Sequence, residues 1–277
     1  MPEDRVTSEQ VPVVPAVPSA PTAVSAVAPA TLSPPGAPSP YPFRTFLVHK
    51  PLGVVSSTVD NAPAGVRRGP HVELDFKPEY RKTVWNVAEE SGFSTTNVGL
   101  VGRLDCETSG IIMFSNDSRL SAAIRDPPKE GSPLSQSPYK SKEYELTLLS
   151  SKPYEEDAFF DIAAFEKELA QPLTFSKENI VYNCVEADVK VLRRYRDVSR
   201  SRGRGDLGWT IVIRVVLREG KHHQIRRLAH RAGYHIVSLH RRTIASILSS
   251  ETIPTPGQCR YVTTAELDEL YAGLLLS

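Results

Sequence analysis

The chain has 277 residues, 40% of them hydrophobic and 23% charged, and a formal net charge of +1. That length holds one large or two small domains around an ample core, the composition is that of a soluble globular protein, and no apolar run approaches the ~18 residues that a membrane-crossing helix needs. Three cysteines, Cys106, Cys184 and Cys259, lack paired or metal-type spacing, which excludes a disulfide framework and points to a reducing, intracellular compartment.

Residues 1–42 hold eleven of the 23 prolines, interleaved with Ala, Val and Ser. Proline removes a backbone donor and fixes φ, so the segment reads as a disordered tail before a single domain over 43–277. It lacks the unbroken apolar core of a secretory signal, and Glu3, Asp4 and Glu9 against one Arg argue against an organelle transit peptide. Residues 43–57 read as a strand entering the sheet. Val84, Val87 and Ala88 at helical spacing predict a helix over 83–90. Two short apolar runs, 98–101 and 111–114, read as buried strands with a polar turn between them. A short helix over 118–125, with Leu120, Ala123 and Ile124 on one side, precedes a Pro- and Ser-rich loop to 140. An alternating strand then covers 144–149.

Beyond it, 159–169 fits a helix, 180–192 a strand, and 195–208 a basic, Gly-punctuated insert containing SRSRGRG. Residues 209–217 alternate again. A helix over 223–232 puts Ile225, Leu228, Ala229 and Ala232 on one face and stops at Gly233. A further strand covers 238–247. Thr263 and Glu266, at capping-box spacing, open a terminal helix that stacks Leu267, Leu270, Tyr271 and Leu274. Strands outnumber long helices without a regular βαβ alternation, which predicts an α+β fold on a large mixed sheet. Charge is uneven along this order. Residues 190–242 carry fifteen Lys and Arg against three acids, a local +12 that leaves the remaining chain at −11. Such a block offers a field to a polyanion without making the whole protein sticky.

Asp105 stands at the mouth of the turn between the two short strands, within VGLVGRLDCETSGIIMFSND at 98–117. An Asp there either caps its own backbone or carries chemistry, since strand-flanking loops commonly do. GRLDCETSG followed by an apolar strand and Ser-Asn-Asp resembles the signature of the RsuA-type RNA pseudouridine synthases. Three further stretches match in order: HKPLGVVS from His49 resembles the family's Asn-Lys-Pro-x-Gly strand, Lys142-Glu-Tyr144 its Lys-x-Tyr segment, and EGKHHQIRR from Glu219 its Glu-Gly-Lys-Asn-Arg-Gln-Val-Arg-Arg. Together they cover the chain from about residue 43 to its C-terminus. His49 replaces the usual Asn. His223 replaces the usual Arg, and His223-Gln-Ile-Arg is similar to the sister RluA-type branch.

The resemblance implies the pseudouridine synthase fold, a large bent mixed β-sheet with flanking helices and a central catalytic cleft. It implies isomerisation of uridine in structured RNA, ribosomal RNA first and tRNA or other RNA as alternatives, without cofactor or metal. Asp105 would be the catalytic carboxylate. A carboxylate desolvated under a base needs a cation, which the resemblance supplies as Arg226, able to pair in two-pronged fashion. Tyr144 would lie against the extruded uracil with Ile225 beside it. Arg103 and Thr108 would shape the Asp loop, and Lys221 and Arg227 would contact the RNA backbone. His222 and His223 are adjacent and face different ways, which argues against a metal site. The RsuA-type enzymes often carry an S4-type RNA-binding domain, which the tail is too short and Pro-rich to form, so the SRSRGRG insert is a candidate grip. A monomer away from membranes is expected. The rival reading is a non-catalytic RNA-binding or ribosome-assembly protein on the same fold, which has no need of a carboxylate in a positive cleft.

Overall fold

The computed structural model describes residues 42–57, 82–126, 131–150, 160–175, 180–184, 187–195, 210–221 and 223–276. The expected tail, apart from Pro42, and the SRSRGRG insert lie outside the described residues. Strand β1 (Thr45–Lys50) pairs antiparallel with β3 (Ser109–Ser115), and both are buried on both faces. Phe46, Val48, Ile112 and Phe114 enter one apolar core, while Leu47, Ile111 and Met113 enter a second on the opposite side. Burial on both faces is why these runs are continuously apolar rather than alternating.

The main sheet has nine strands among the described residues. Its path runs from β11 (Cys259–Tyr261) through β1, β3, β9 (Tyr234–Ile244), β4 (Lys142–Ser150) and β8 (Thr210–Leu217) to β7 (Asp188–Tyr195). Strand β2 (Gly99–Val101) lies on β3 and β10 (Leu248–Ser249) on β9. Every pairing is antiparallel except β3 with β9, which is parallel and consists of Ser109 opposite His240 and Gly110 opposite Arg241. Gly110 sits at φ +113°, and a Cβ there would lie 2.3 Å from the Arg241 carbonyl oxygen. The last residue of GRLDCETSG is therefore glycine because two chains touch at it.

Among the described residues five α-helices flank this sheet: α1 (Val84–Glu90), α2 (Ser118–Arg125), α3 (Ile162–Leu169), α4 (Gln224–Arg231) and α5 (Thr264–Gly273). Helix α5 has the expected capping box and buries Leu267, Leu270 and Tyr271. The Asp117 side chain caps α2 through the Arg119 and Leu120 amides and also accepts from the Tyr271 hydroxyl, tying α5 to α2. Two buried lysines close the other end of α2. Lys142 donates to the Ile124 carbonyl at 3.1 Å, and Lys140 donates to those of Asp126 and Ala123. Cations suit a helix C-terminus, where carbonyls are orphaned. Burial brings the Lys142 ammonium down to about 8.

The strand expected over 180–192 is two strands. β6 (Ile180–Tyr182) pairs with β5 (Leu173–Phe175) in a separate two-stranded sheet, and β7 joins the main one. Asn183, a poor strand residue, lies at the break. The loop before β4 contains two 3₁₀ turns, Pro133–Gln136 and Pro138–Lys140, each opened by its proline. Strand β9 begins at Tyr234, earlier than its alternation implies. No helix among the described residues is long and apolar enough to cross a membrane.

Candidate active site

The turn joining β2 to β3 is held from beneath. Lys50, fully buried at the end of β1, donates its Nζ to the carbonyls of Thr108 at 2.7 Å, Pro51 at 2.9 Å and Cys106 at 3.4 Å. Ser56 Oγ lies 2.7 Å from the Leu104 carbonyl, to which it donates, and accepts from the Leu104 amide at 3.2 Å. The Gly53 amide donates to the Cys106 carbonyl at 2.8 Å, and the Cys106 thiol donates back to the Gly53 carbonyl. The Thr108 amide closes the turn on the Asp105 carbonyl at 3.0 Å. With its backbone tied down, the loop projects the Asp105 carboxylate, 30% exposed, upward. Burial pushes the Lys50 ammonium down to about 8, while the Asp105 carboxylate acts to hold its proton.

The second component is the turn from Glu219 into α4. Gln224 and Glu219 are both buried; the Gln224 amide nitrogen donates to the Glu219 carboxylate at 2.7 Å and its oxygen accepts from the Lys221 amide at 3.0 Å. This bridge shapes the turn so that His223 enters the helix in the left-handed region, φ +54° and ψ 25°. Such a conformation costs a non-glycine residue ~1–3 kcal/mol and persists where the surroundings impose it. From it, His223 Nε2 reaches to 3.3 Å from Asp105 Oδ1. One turn into the helix, Arg226 Nε lies 3.7 Å from Asp105 Oδ2. The carboxylate thus has a nitrogen beside each oxygen.

Arg226 does not form the expected two-pronged pair with Asp105. Its Nη2 instead donates to the Glu107 carbonyl at 2.7 Å and to Thr108 Oγ1 at 3.2 Å, and its Nη1 lies 3.6 Å from the Glu107 carboxylate. The guanidinium therefore clamps the loop that bears Asp105 as well as neutralising the acid.

Both components open on a cleft of about 730 Å³, within the range of ligand sites. Asp105, Tyr144, Ile225, Arg226, Lys221, Arg103 and Thr108 all line it; Arg227 does not. Tyr144 is only 8% exposed and is presented by the register shift between Glu143 and Tyr144 where β4 meets β9. Arg103 is exposed on the cleft wall, and the hydrogen bonds that hold the loop come from Lys50, Ser56, Thr108 and Arg226. Sequence reasoning missed His223 as a site residue. Its signal was the departure from the family's Arg, which gave no direction for the imidazole.

The family model described as RNA pseudouridylate synthase matches residues 44–231. Ribosomal small subunit pseudouridine synthase A of Salmonella typhimurium is 23% identical over 229 residues, covering 81% of this chain and 72% of that protein. The protein of the same name from Escherichia coli K12 is 24% identical over 229 residues with the same coverage. A crystal structure of pseudouridylate synthase superposes with a TM-score of 0.51 and 21% identity over 82% of this chain and 74% of that one, a likeness of fold.

Proposed function

The chain belongs to the RNA pseudouridylate synthase family and is an RNA pseudouridine synthase, an isomerase; on that premise we propose that Asp105 is the carboxylate that isomerises uridine and that small-subunit ribosomal RNA is its substrate. The observation that carries the first part is the carboxylate between His223 and Arg226 at the opening of the cleft. The second part is supported by the ribosomal relatives, which match the greater part of this chain.

The reaction breaks the N1–C1′ bond, turns the uracil and joins C5 to C1′; one proton leaves C5 and one is gained at N1, so composition is unchanged. Asp105 serves either by adding to C1′ or by taking the 2′ proton to give a glycal, and its geometry is compatible with both. Arg226 keeps it anionic when a base covers it, because an opposite charge offsets desolvation. The target uridine must leave its stack, which costs on the order of a few kcal/mol. The wall formed by Tyr144 and Ile225 offers the flipped base an aromatic edge and an apolar contact. Lys221, which lines the cleft, offers an ammonium for a phosphate.

The test is to incubate the purified protein with unmodified small-subunit ribosomal RNA from its own organism and map pseudouridines by carbodiimide adducts and primer extension. One new pseudouridine is expected. A product in tRNA alone would overturn the ribosomal assignment, and none in any unmodified RNA would overturn the whole reading.

A further inference from the structure

The roles assigned above use one wall of the cleft. The other wall is built from α1, β2 and the stretch after β1, and its largest element is Trp85. On α1 the buried residues are Val84, Val87 and Ala88, and Trp85 lies off that stripe, half-buried. Its indole meets the Phe114 ring edge to face, with centroids 5.2 Å apart, and also lines the cleft beside Leu100. Arg103 and Arg125 line the same cavity. The Arg125 pair with Asp126 is exposed, 2.9 Å long, and weak enough to be exchanged for a phosphate.

The hydrogen-bond pattern relates the backbone of the Asp loop to that of α1. Residues 53–56 bond on one side to Leu104 and Cys106 of the Asp loop. On the other side, the Val55 amide donates to the Lys82 carbonyl and the Val84 amide donates to the Val55 carbonyl. The first turn of α1 is therefore two chain widths from the Asp loop, roughly 10 Å at the usual spacing of hydrogen-bonded chains. Backbones so spaced leave room along the cleft for two successive nucleotides, one at Asp105 and the next at Trp85. A stacking face in a cavity that two guanidinium groups also line suits an unpaired base and its phosphate.

Resting on the assignment of the cleft to RNA, we propose that Trp85, with Leu100, Arg103 and Arg125, forms a second subsite that stacks the unpaired base next to the target uridine. The bland role for Trp85, a large side chain covering the edge of the core, makes the opposite prediction for its exposed face.

The chain has two tryptophans, Trp85 and Trp209, so Trp209→Phe leaves Trp85 as the sole indole emitter. In that variant, titration with a short uridine-rich single-stranded oligoribonucleotide should quench the indole emission, saturating with the same Kd that fluorescence anisotropy of the labelled oligonucleotide reports. In the otherwise native chain, Trp85→Ala should weaken oligonucleotide binding about 5- to 100-fold, the affinity equivalent of one stacked base, and Trp85→Phe by less than about 5-fold. Unchanged emission at saturating RNA, or a folded Trp85→Ala that binds as well as the native protein, overturns the subsite. Isomerisation by the native protein without quenching of Trp85 sinks the subsite alone; absence of isomerisation sinks the reading on which it rests. If Trp85→Ala does not fold, the quench and the Phe variant decide.

Discussion

The loop that carries Asp105 has its carbonyls taken from below by Lys50 and Ser56, whereas the turn that carries His223 holds a residue at φ +54° and leaves its imidazole 45% exposed. The two segments meet at one carboxylate but are held by different means. The acid sits on a backbone that is hydrogen-bonded from several directions, and Arg226 adds to that by donating to the Glu107 carbonyl and to Thr108. His223 approaches the other carboxylate oxygen from a strained turn at the solvent boundary. The difference implies unequal weight: Arg226 holds both the acid and its loop, and the imidazole supplies one contact to the other carboxylate oxygen from the solvent side.

Among the groups that hold the acid, the largest effect should come from the fixed cation. Arg226→Ala is expected to lower single-turnover rate ~10²–10³-fold, the usual consequence of removing a preorganised charge partner, while RNA affinity changes less than about 5-fold. A loss confined to affinity would make Arg226 a phosphate contact and erase the contrast with His223. Lys50→Met strips three carbonyls of their donor in a buried place. Its melting temperature should fall by about 5–10 °C, and an unchanged one would show that the loop is not held from below.

Substituting the strained side should cost less. His223→Ala is expected to lower kcat by about 10-fold with little change in KM, the scale of one hydrogen bond to a charged group. His223→Gln, whose amide nitrogen can take the place of Nε2, should recover most of that loss; equal losses in both variants would assign the imidazole a role other than donating to Asp105.

The smallest effect lies at the junction behind the loop. The His240 imidazole, bonded to Ser109 and Ser250, is held down to about 4 by burial and by His49, with Glu145 opposing and Arg242 assisting. A histidine ordinarily near 6.5 and depressed in the folded state takes up its proton more readily when unfolded, so stability present above pH 6.5 is lost as pH falls toward 4. His49, lowered in the same direction by burial, adds to the trend. Urea midpoints across that window should drop in the native protein and flatten in His240→Asn. Parallel curves for the two proteins would locate the acid sensitivity elsewhere.

Sequence patterns revealed the elements with a one-sided face or a local cap. Helices α2 and α5 have the expected spans because Leu120 with Ile124, and Thr263 with Glu266, are local signals. Strands β5, β10 and β11 escaped because two or three residues carry no period, even where, as for β5 with β6 and β10 with β9, the partner follows or precedes within a short hairpin; the partner of β11 is β1, far back in the sequence. The parallel contact of β3 with β9 was hidden for the same reason, although the glycine that permits it stood in the most recognisable motif. The approach of Arg226 to Asp105 was legible only through family resemblance, since spacing does not reveal that two residues so far apart meet. The burial of Lys50 beneath the loop and the aim of His223 needed coordinates, because both depend on backbone geometry that neither residue type announces.

The most direct measurement is isomerisation by Asp105→Asn alongside its affinity for the same RNA. Asparagine keeps the size of the side chain and removes its charge and basicity. Pseudouridine formation should disappear while the RNA still binds within a few-fold of the native Kd. Product formed by this variant at a rate near that of the native enzyme would contradict the account.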